Sequence, residues 1–360
     1  MNLFGSLEDN ELVLKEGVLT YSHLPETVLF REQEQNVIAS AIKPLLSGRK
    51  PDNLFVYGKP GLGKTLCTKT VLQQLQNYSS DVLPIYINCW DANREYQVFT
   101  EIAKQTGYFF FQGKSAEDVF DEIVKRAEKS KGVCFVFDEI DKVRDLGFLY
   151  KILQHLEDKA SVVLITNDKD FLMNLEARIL SRLTPNELKF RAYSLEEIKE
   201  ILGERVRLAF KPGAVSHIML NKIAYHTHRS EDIRVGLFLL LNAAKNAEQS
   251  GHEKISNEDL DAALSKLAQF KIKTSLSKLS TDEQLLIDLV SKFPGLISGE
   301  LFQKYSDAGG TLTMRSYRRM LMRLSRLELL SLENTSKGFR GQSRKILLGK
   351  KLKYTRIDAD

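Results

Sequence analysis

The apolar positions change rhythm twice along the chain. From position 32 to 190, short near-continuous apolar runs alternate with helical stretches. Asn53–Tyr57 (NLFVY), Leu83–Asn88 (LPIYIN), Val133–Phe137 (VCFVF) and Ser161–Thr166 (SVVLIT) are the runs. They have the pattern of strands buried on both faces of a parallel sheet. Helical periodicity at Glu32–Leu46 and Lys64–Gln76 brackets the first run, and such alternation predicts an α/β domain. After Phe190 the strand runs cease. Leu195–Leu208, Val215–His226, Ile233–Gln249 and Asn257–Lys271 read as successive helices of a small all-α domain. The polar, basic segment 271–280 (KIKTSLSKLS) reads as a linker.

A third pattern follows. Ser280-Thr281-Asp282-Glu283 is a capping box that opens a helix, Ser298 is placed to cap a second helix through Tyr305, and Thr313 a third running to about Leu327. Leu329–Leu332 and Lys345–Leu348 then read as two strands around a hairpin rich in glycine and bases. The expected organisation is therefore 1–190 for the α/β domain, 191–272 for the helical domain, and 273–360 for the terminal domain.

The third terminal helix is sharply two-faced. Met314, Tyr317, Met320, Leu321, Leu324 and Leu327 fall on one side at 100° per residue, and Arg315, Arg318, Arg319, Arg323 and Arg326 on the other. Only Met322 interrupts the basic face. Solvated faces usually mix signs, whereas this one has five arginines and no acid. A helix of this kind after a helix and a turn is the docking element of helix-turn-helix proteins, and a basic hairpin tip suits a wing on the phosphate backbone. Lys337, Arg340 and Arg344 are the candidate wing contacts, and the architecture is that of a winged helix.

Charge agrees. The chain carries +5 overall, yet Ser275–Asp360 alone holds sixteen Lys/Arg against nine Asp/Glu, an excess of seven, so the remainder is close to neutral. A basic terminal domain on a near-neutral body suits a nucleic-acid partner.

The candidate chemistry lies in the first domain. Gly58-Lys59-Pro60-Gly61-Leu62-Gly63-Lys64-Thr65 matches G-x-x-x-x-G-K-[ST] between a strand and a helix. Glycines let successive N–H groups turn toward a phosphate, and the helix N-terminus faces the same anion. Lys64 would reach the β- and γ-phosphates, and the Thr65 hydroxyl would ligate Mg²⁺. The third apolar run ends in Asp138-Glu139, where a carboxylate at a strand end can hold Mg²⁺ through water and its neighbour can polarise the attacking water. ATP/ADP and Mg are the expected cofactors.

Phosphate loop and acidic pair together resemble the AAA+ ATPases. Several further residues carry that resemblance. Asn167 matches the polar residue beside the γ-phosphate. Arg182, with Arg178 second, matches the arginine that acts in trans on a neighbour's nucleotide. Arg234, after Asp232, matches the lid arginine that approaches the nucleotide. The whole chain resembles the archaeal origin-recognition and cell-division-control initiators. Pro25 and Arg31 sit in the segment that the family lays over the adenine. Tyr86-Ile87-Asn88-Cys89 is similar to its second strand, and Gln105–Asp118, with Lys114, occupies the place of an insertion that family members use to touch DNA. Three departures stand out: Glu231 replaces the usual glycine, 190–193 lacks the junction prolines, and the aromatic run 108–111 is more apolar than a DNA-contacting insertion calls for and equally suits a core or partner contact.

The resemblance implies an initiator with weak Mg-dependent ATPase activity that binds double-stranded origin DNA and helps recruit or load the MCM helicase, alongside other copies or paralogues. Alternative readings are another AAA+ ATPase of clamp-loader or transposition type, or a DNA-binding regulator with little turnover. The three cysteines are single and flanked by apolar residues, and His226 and His228 lack a zinc-like setting. No apolar run reaches the ~18 residues of a membrane span, and the N-terminus lacks the pattern of a secretory signal. The expectation is therefore a cytoplasmic, nucleoid-associated protein with no membrane partner.

Overall fold

A computed structural model describes residues 11–21, 23–25, 27–276, 279–334 and 344–349, without the side chains of 271–276 and 334. The chain divides into two compact units, Met1–Ile255 and Ser256–Asp360.

The first unit is built on a parallel sheet of β1 (Leu54–Tyr57), β2 (Val82–Asn88), β3 (Gly132–Asp138), β4 (Ala160–Thr166) and β5 (Asn186–Lys189), in the order β2-β3-β4-β1-β5. All its pairings are parallel, with Phe55 opposite Leu164 and Asn88 opposite Asp138. Both faces of the sheet are covered. Phe135 and Phe137 of β3 pack into one apolar cluster, and Cys134 and Val136 into another. Double burial is why these strands read as unbroken apolar runs.

The strand β5 is not among the four apolar runs named from the sequence. Its residues NELK are mostly exposed, so the sheet edge shows no apolar signature. Backbone bonds hold it: Asn186 donates to the Asn53 carbonyl (2.9 Å) and Phe190 to that of Tyr57 (2.8 Å).

Six helices accompany the sheet: α1 (Glu32–Ile42), α2 (Lys64–Tyr78), α3 (Glu95–Gln105), α4 (Ala116–Glu128), α5 (Gly147–His155) and α6 (Ala177–Leu183). The first is shorter than its periodicity implied, since Pro44 tightens Lys43–Ser47 into a 3-10 turn ended by Gly48. A helical subdomain follows, with α7 (Leu195–Ala209), α8 (His217–Ser230) and α9 (Ile233–Gln249). Ser194 and Glu197 form a reciprocal capping box on α7, and the Asp232 carboxylate accepts the Arg234 N–H to cap α9. The segment before α1 belongs with these helices. Leu14 donates to the Ala209 carbonyl (2.7 Å), and the Leu12 N–H donates to Glu248 Oε1 (2.7 Å).

The second unit begins with α10 (Asn257–Leu276), which runs through most of the segment expected to be a linker. That segment contains neither Gly nor Pro up to Leu276, and its Lys and Leu residues are good helix formers. Then come α11 (Thr281–Lys292), α12 (Ser298–Asp307), α13 (Met314–Arg326) and the antiparallel pair β6 (Leu330–Asn334) and β7 (Arg344–Leu348). Ser298 is not a cap. Ile297 holds that position, and its N–H donates to the Glu300 carboxylate (3.3 Å). Thr313 does cap α13, accepting from the Ser316 N–H (3.4 Å). Leu286, Val290, Leu301, Tyr305, Tyr317, Leu324 and Ile346 form the core of this unit. A Cβ on Gly310, between α12 and α13, would lie 2.2 Å from the Tyr305 ring, so that turn accepts only glycine. Helix, turn, helix and hairpin together make a winged helix.

Candidate functional site

The C-terminal ends of β1, β3 and β4 converge on one cavity of about 390 Å³. Its floor is the phosphate-loop segment Pro60–Leu66. One wall is made by Ile201, Arg205, Ile233, Arg234 and Leu237 of the helical subdomain, and the other by Thr20, Tyr21, His23, Leu24, Pro25, Thr27, Val28 and Leu29. It is a cleft between sheet and helices, partly apolar with a few convergent polar groups, as ligand sites usually are.

At the floor the side chains form one connected network. The Lys64 ammonium donates to the Gly58 carbonyl (2.7 Å), the Lys59 carbonyl (2.9 Å) and Asn167 Oδ1 (2.8 Å). The Asn167 amide nitrogen donates to both Glu139 oxygens (3.1 and 3.0 Å). Burial pushes the Lys64 ammonium down to about 8, while the Glu139 and Asp138 carboxylates pull it back up. Beside them the Thr65 hydroxyl donates to Asp138 Oδ2 (2.5 Å), and so does the Tyr86 hydroxyl (2.7 Å). The Glu139 N–H takes Asp138 Oδ1 (3.0 Å). Glu139 itself sits at φ 54°, a left-handed conformation that turns its side chain away from the line of β3 toward Asn167. One hydroxyl and one strand-end carboxylate form an all-oxygen donor set, which suits a hard dication that completes its shell with water and phosphate. Among the described residues no cluster of three His, Cys, Asp or Glu forms a protein cage for a metal.

The helical subdomain reaches the loop through Glu231, Asp232 and Arg234. Lys59 forms an ion pair with Glu231. Asp232 approaches Gly61 so closely that a Cβ there would lie 1.8 Å from Oδ1, and Gly61 has φ +75°. Arg234 lines the cavity, with its guanidinium paired to Asp232 (2.7 Å). Glu231 occupies a left-handed position, φ 51°, where glycine has no Cβ penalty.

The remaining candidates are placed as follows. Gly58, Lys59, Pro60, Gly61, Leu62, Gly63, Lys64 and Thr65 all lie on the loop, and Pro25 lines the cavity. Arg31 does not reach it. It is fully buried, donating to the Leu62 carbonyl (3.2 Å), the Tyr193 hydroxyl (3.1 Å), Glu34 Oε1 (2.8 Å) and the Arg191 carbonyl (2.7 Å), with its guanidinium 3.9 Å from the Tyr193 ring centroid. The sequence placed Arg31 over a ligand base; the structure makes it a structural clamp behind the loop. Arg182 and Arg178 sit on α6, their guanidinium groups 5.2 and 5.3 Å from the Tyr150 ring centroid. Lys114 lies 5.2 Å from the Tyr108 ring centroid in the α3–α4 connection. There Tyr108 is buried, while Phe109 and Phe110 are 65% and 80% exposed.

In the second unit Arg315, Arg318, Arg319, Arg323 and Arg326 are all exposed along α13. Arg323 is also committed, pairing with the buried Glu283 (3.1 Å). Arg344 reaches back to Met322 Sδ (3.6 Å), so a base covers the one interruption in the helix's basic face. Lys337 and Arg340 lie outside the described residues. Sequence reasoning assigned no role to the Tyr86 hydroxyl or to the Lys59–Glu231 pair. An aromatic in a buried strand gives no signal of what its hydroxyl meets, and the unusual Glu231 was visible only as a departure.

Residues 48–172 match the AAA domain, and residues 199–265 match the Cdc6 AAA+ ATPase-type lid domain. An ORC1-type DNA replication protein of Cenarchaeum symbiosum (strain A) is 30% identical over 356 residues, spanning 92% of this chain and 87% of that protein. ORC1-type DNA replication protein 1 of Archaeoglobus fulgidus is 30% identical over 373 residues, spanning 97% and 91%. The chain belongs to the ORC1-type DNA replication protein family. Among solved structures, the Aeropyrum pernix ORC1 protein in complex with DNA matches with a TM-score of 0.75 at 28% identity, covering 96% of both chains. The Aeropyrum pernix ORC2 protein, solved as ADPNP-ADP complexes, shares the fold, with a TM-score of 0.65 at 21% identity over 96% of each chain. Membership makes this a DNA replication protein with an AAA+ ATPase module, its lid and a winged helix. No described helix is long and apolar enough to cross a membrane.

Proposed function

We propose that this chain is an ATP-dependent initiator that binds double-stranded origin DNA and helps recruit or load the MCM helicase, acting with other copies or paralogues on DNA. The observation that carries the reading is the network at the cavity floor. Lys64, Asn167 and Glu139 are hydrogen-bonded in series beside the Thr65–Asp138 pair, in a chain that also bears the arginine helix. Mg²⁺-ATP would lie along Gly58–Thr65, with Lys64 on the phosphates and Pro25 near the base. Thr65 and Asp138 would hold the metal, which supplies Lewis-acid stabilisation of the charge that develops on the phosphates. Glu139 would orient the attacking water, and Asn167 would hold Glu139 and the lysine in register. Arg234 would turn from Asp232 to the nucleotide, and Arg182 would serve a neighbouring copy's site.

On the DNA side, Arg315, Arg318, Arg319, Arg323 and Arg326 would meet the major groove. Lys337, Arg340 and Arg344 would meet the backbone, and Lys114 would add a contact from the α3–α4 connection. The protein would work in the cytoplasm on the nucleoid.

One observation favours the reading with little turnover: Arg234 is already paired with Asp232 within the chain, a contact it would have to give up to reach a nucleotide. A single-turnover ATPase assay with and without duplex DNA decides between the two. Glu139→Gln should retain ATP and hydrolyse it at least a hundredfold more slowly. Wild-type protein that releases no phosphate on either arm would reject the ATPase reading, and an undiminished rate in Glu139→Gln would reject Glu139 as the water-orienting base.

A further inference from the structure

Strand β2 is one of the two edges of the sheet, and Tyr86 lies on it opposite Val136, two residues before Asp138 on the neighbouring strand. Side chains two apart along a strand share a face. On that face α2 passes, with Thr65 and Lys69 one turn apart. The Tyr86 ring therefore lies against the Lys69 ammonium, 4.2 Å from its centroid, and its hydroxyl reaches Asp138 Oδ2 (2.7 Å). Among the described residues the Asp138 carboxylate accepts three bonds, from the Glu139 N–H on Oδ1 and from the Thr65 and Tyr86 hydroxyls on Oδ2. Thr65 would itself be drawn to a bound metal, which leaves Tyr86 and the Glu139 N–H as the donors that fix the plane of the carboxylate.

The peptide of Tyr86 is held as firmly as its side chain. Gln105, the last residue of α3, accepts the Tyr86 N–H on Oε1 (3.0 Å) and donates Nε2 to the Tyr86 carbonyl (2.8 Å). A side-chain amide thus stands in for a further strand at the open edge.

We propose that Tyr86 is a positioning residue for the Asp138 carboxylate, setting its affinity for Mg²⁺, and that Gln105 holds Tyr86 in place. This rests on the metal–nucleotide reading above. Partners that orient a metal ligand typically contribute ten- to a hundredfold to metal affinity, and the direct Thr65 contact remains, so the lower end is expected. The probe is a fluorescent ADP analogue titrated in EDTA and then with increasing Mg²⁺. In Tyr86→Phe, the Mg²⁺ concentration giving half of the affinity gain should rise about tenfold, while affinity in EDTA stays within about twofold of wild type. A Mg²⁺ curve superimposable on wild type would overturn the proposal, as would an equal loss of affinity in EDTA, since a purely structural role would act without metal. Gln105→Ala should move the curve in the same direction by less, and an unmoved curve would remove Gln105 from the proposal. Wild-type protein whose ADP affinity ignores Mg²⁺ would sink the metal site and this inference together. A wild-type response shared unchanged by Tyr86→Phe would sink the inference alone.

Discussion

Arg31 gives the sharpest test of the structure against its sequence. Its side chain is wholly buried, and it pairs with Glu34, whose side chain is 11% exposed. It also satisfies the carbonyls of Leu62 and Arg191 and packs on Tyr193. Replacing it with methionine keeps much of the apolar volume but leaves the Glu34 carboxylate buried without its cation. Removing one partner of a buried pair costs about 3–5 kcal/mol. The whole stability of a typical domain is roughly 5–15 kcal/mol, so the first unit should become marginal. With a urea slope of roughly 2 kcal/mol/M, the midpoint should fall by about 2 M. Pulsed hydrogen exchange, read on the peptides covering β1 and β3, follows this unit separately from the winged helix. Arg31→Lys should recover part of the loss, because an ammonium keeps the Glu34 contact but cannot span all four acceptors. A midpoint within 0.5 M of wild type, combined with a tenfold drop in nucleotide affinity, would refute the clamp and return Arg31 to the ligand.

Two further outcomes follow from the geometry. Gly61→Ala drives a methyl into the Asp232 carboxylate at a left-handed backbone position, so nucleotide affinity should fall tenfold or more in equilibrium titration; wild-type affinity would mean the lid corner moves aside freely. In the winged helix, Arg323→Ala should lower the unit's thermal midpoint by leaving Glu283 unpaired. Arg319→Ala should instead leave the midpoint unchanged and reduce the salt slope of duplex binding by about 0.9. Equal affinity losses with unchanged midpoints in both variants would refute that division of labour.

The sequence made the doubly covered strands legible because burial on both faces leaves no polar alternation to confuse, and made α13 legible because five arginines share one arc. It concealed β5, whose NELK residues are mostly exposed, with only Leu188 packing against the core, so that the strand carries no apolar run. It also misread segment 271–276, where polarity suggested a linker although the residues are sound helix formers. The loop glycines and the acidic pair could be named from spacing alone. What spacing could not supply was direction: whether Arg31 pointed to the cleft or behind it, and which hydroxyl met Asp138. Those outcomes depend on residues distant in sequence, Tyr193 standing 162 positions from Arg31 and Tyr86 52 from Asp138, and no local pattern encodes them.

The Asn167 side chain turns its carbonyl to an ammonium and its amino group to a carboxylate. An amide has a head and a tail, so this link is polar in one direction only. Aspartate, the same size, would offer an acceptor to both neighbours and repel one; leucine would offer nothing to either. Either change would break the one link that runs from the Lys64 ammonium through the amide to the Glu139 carboxylate.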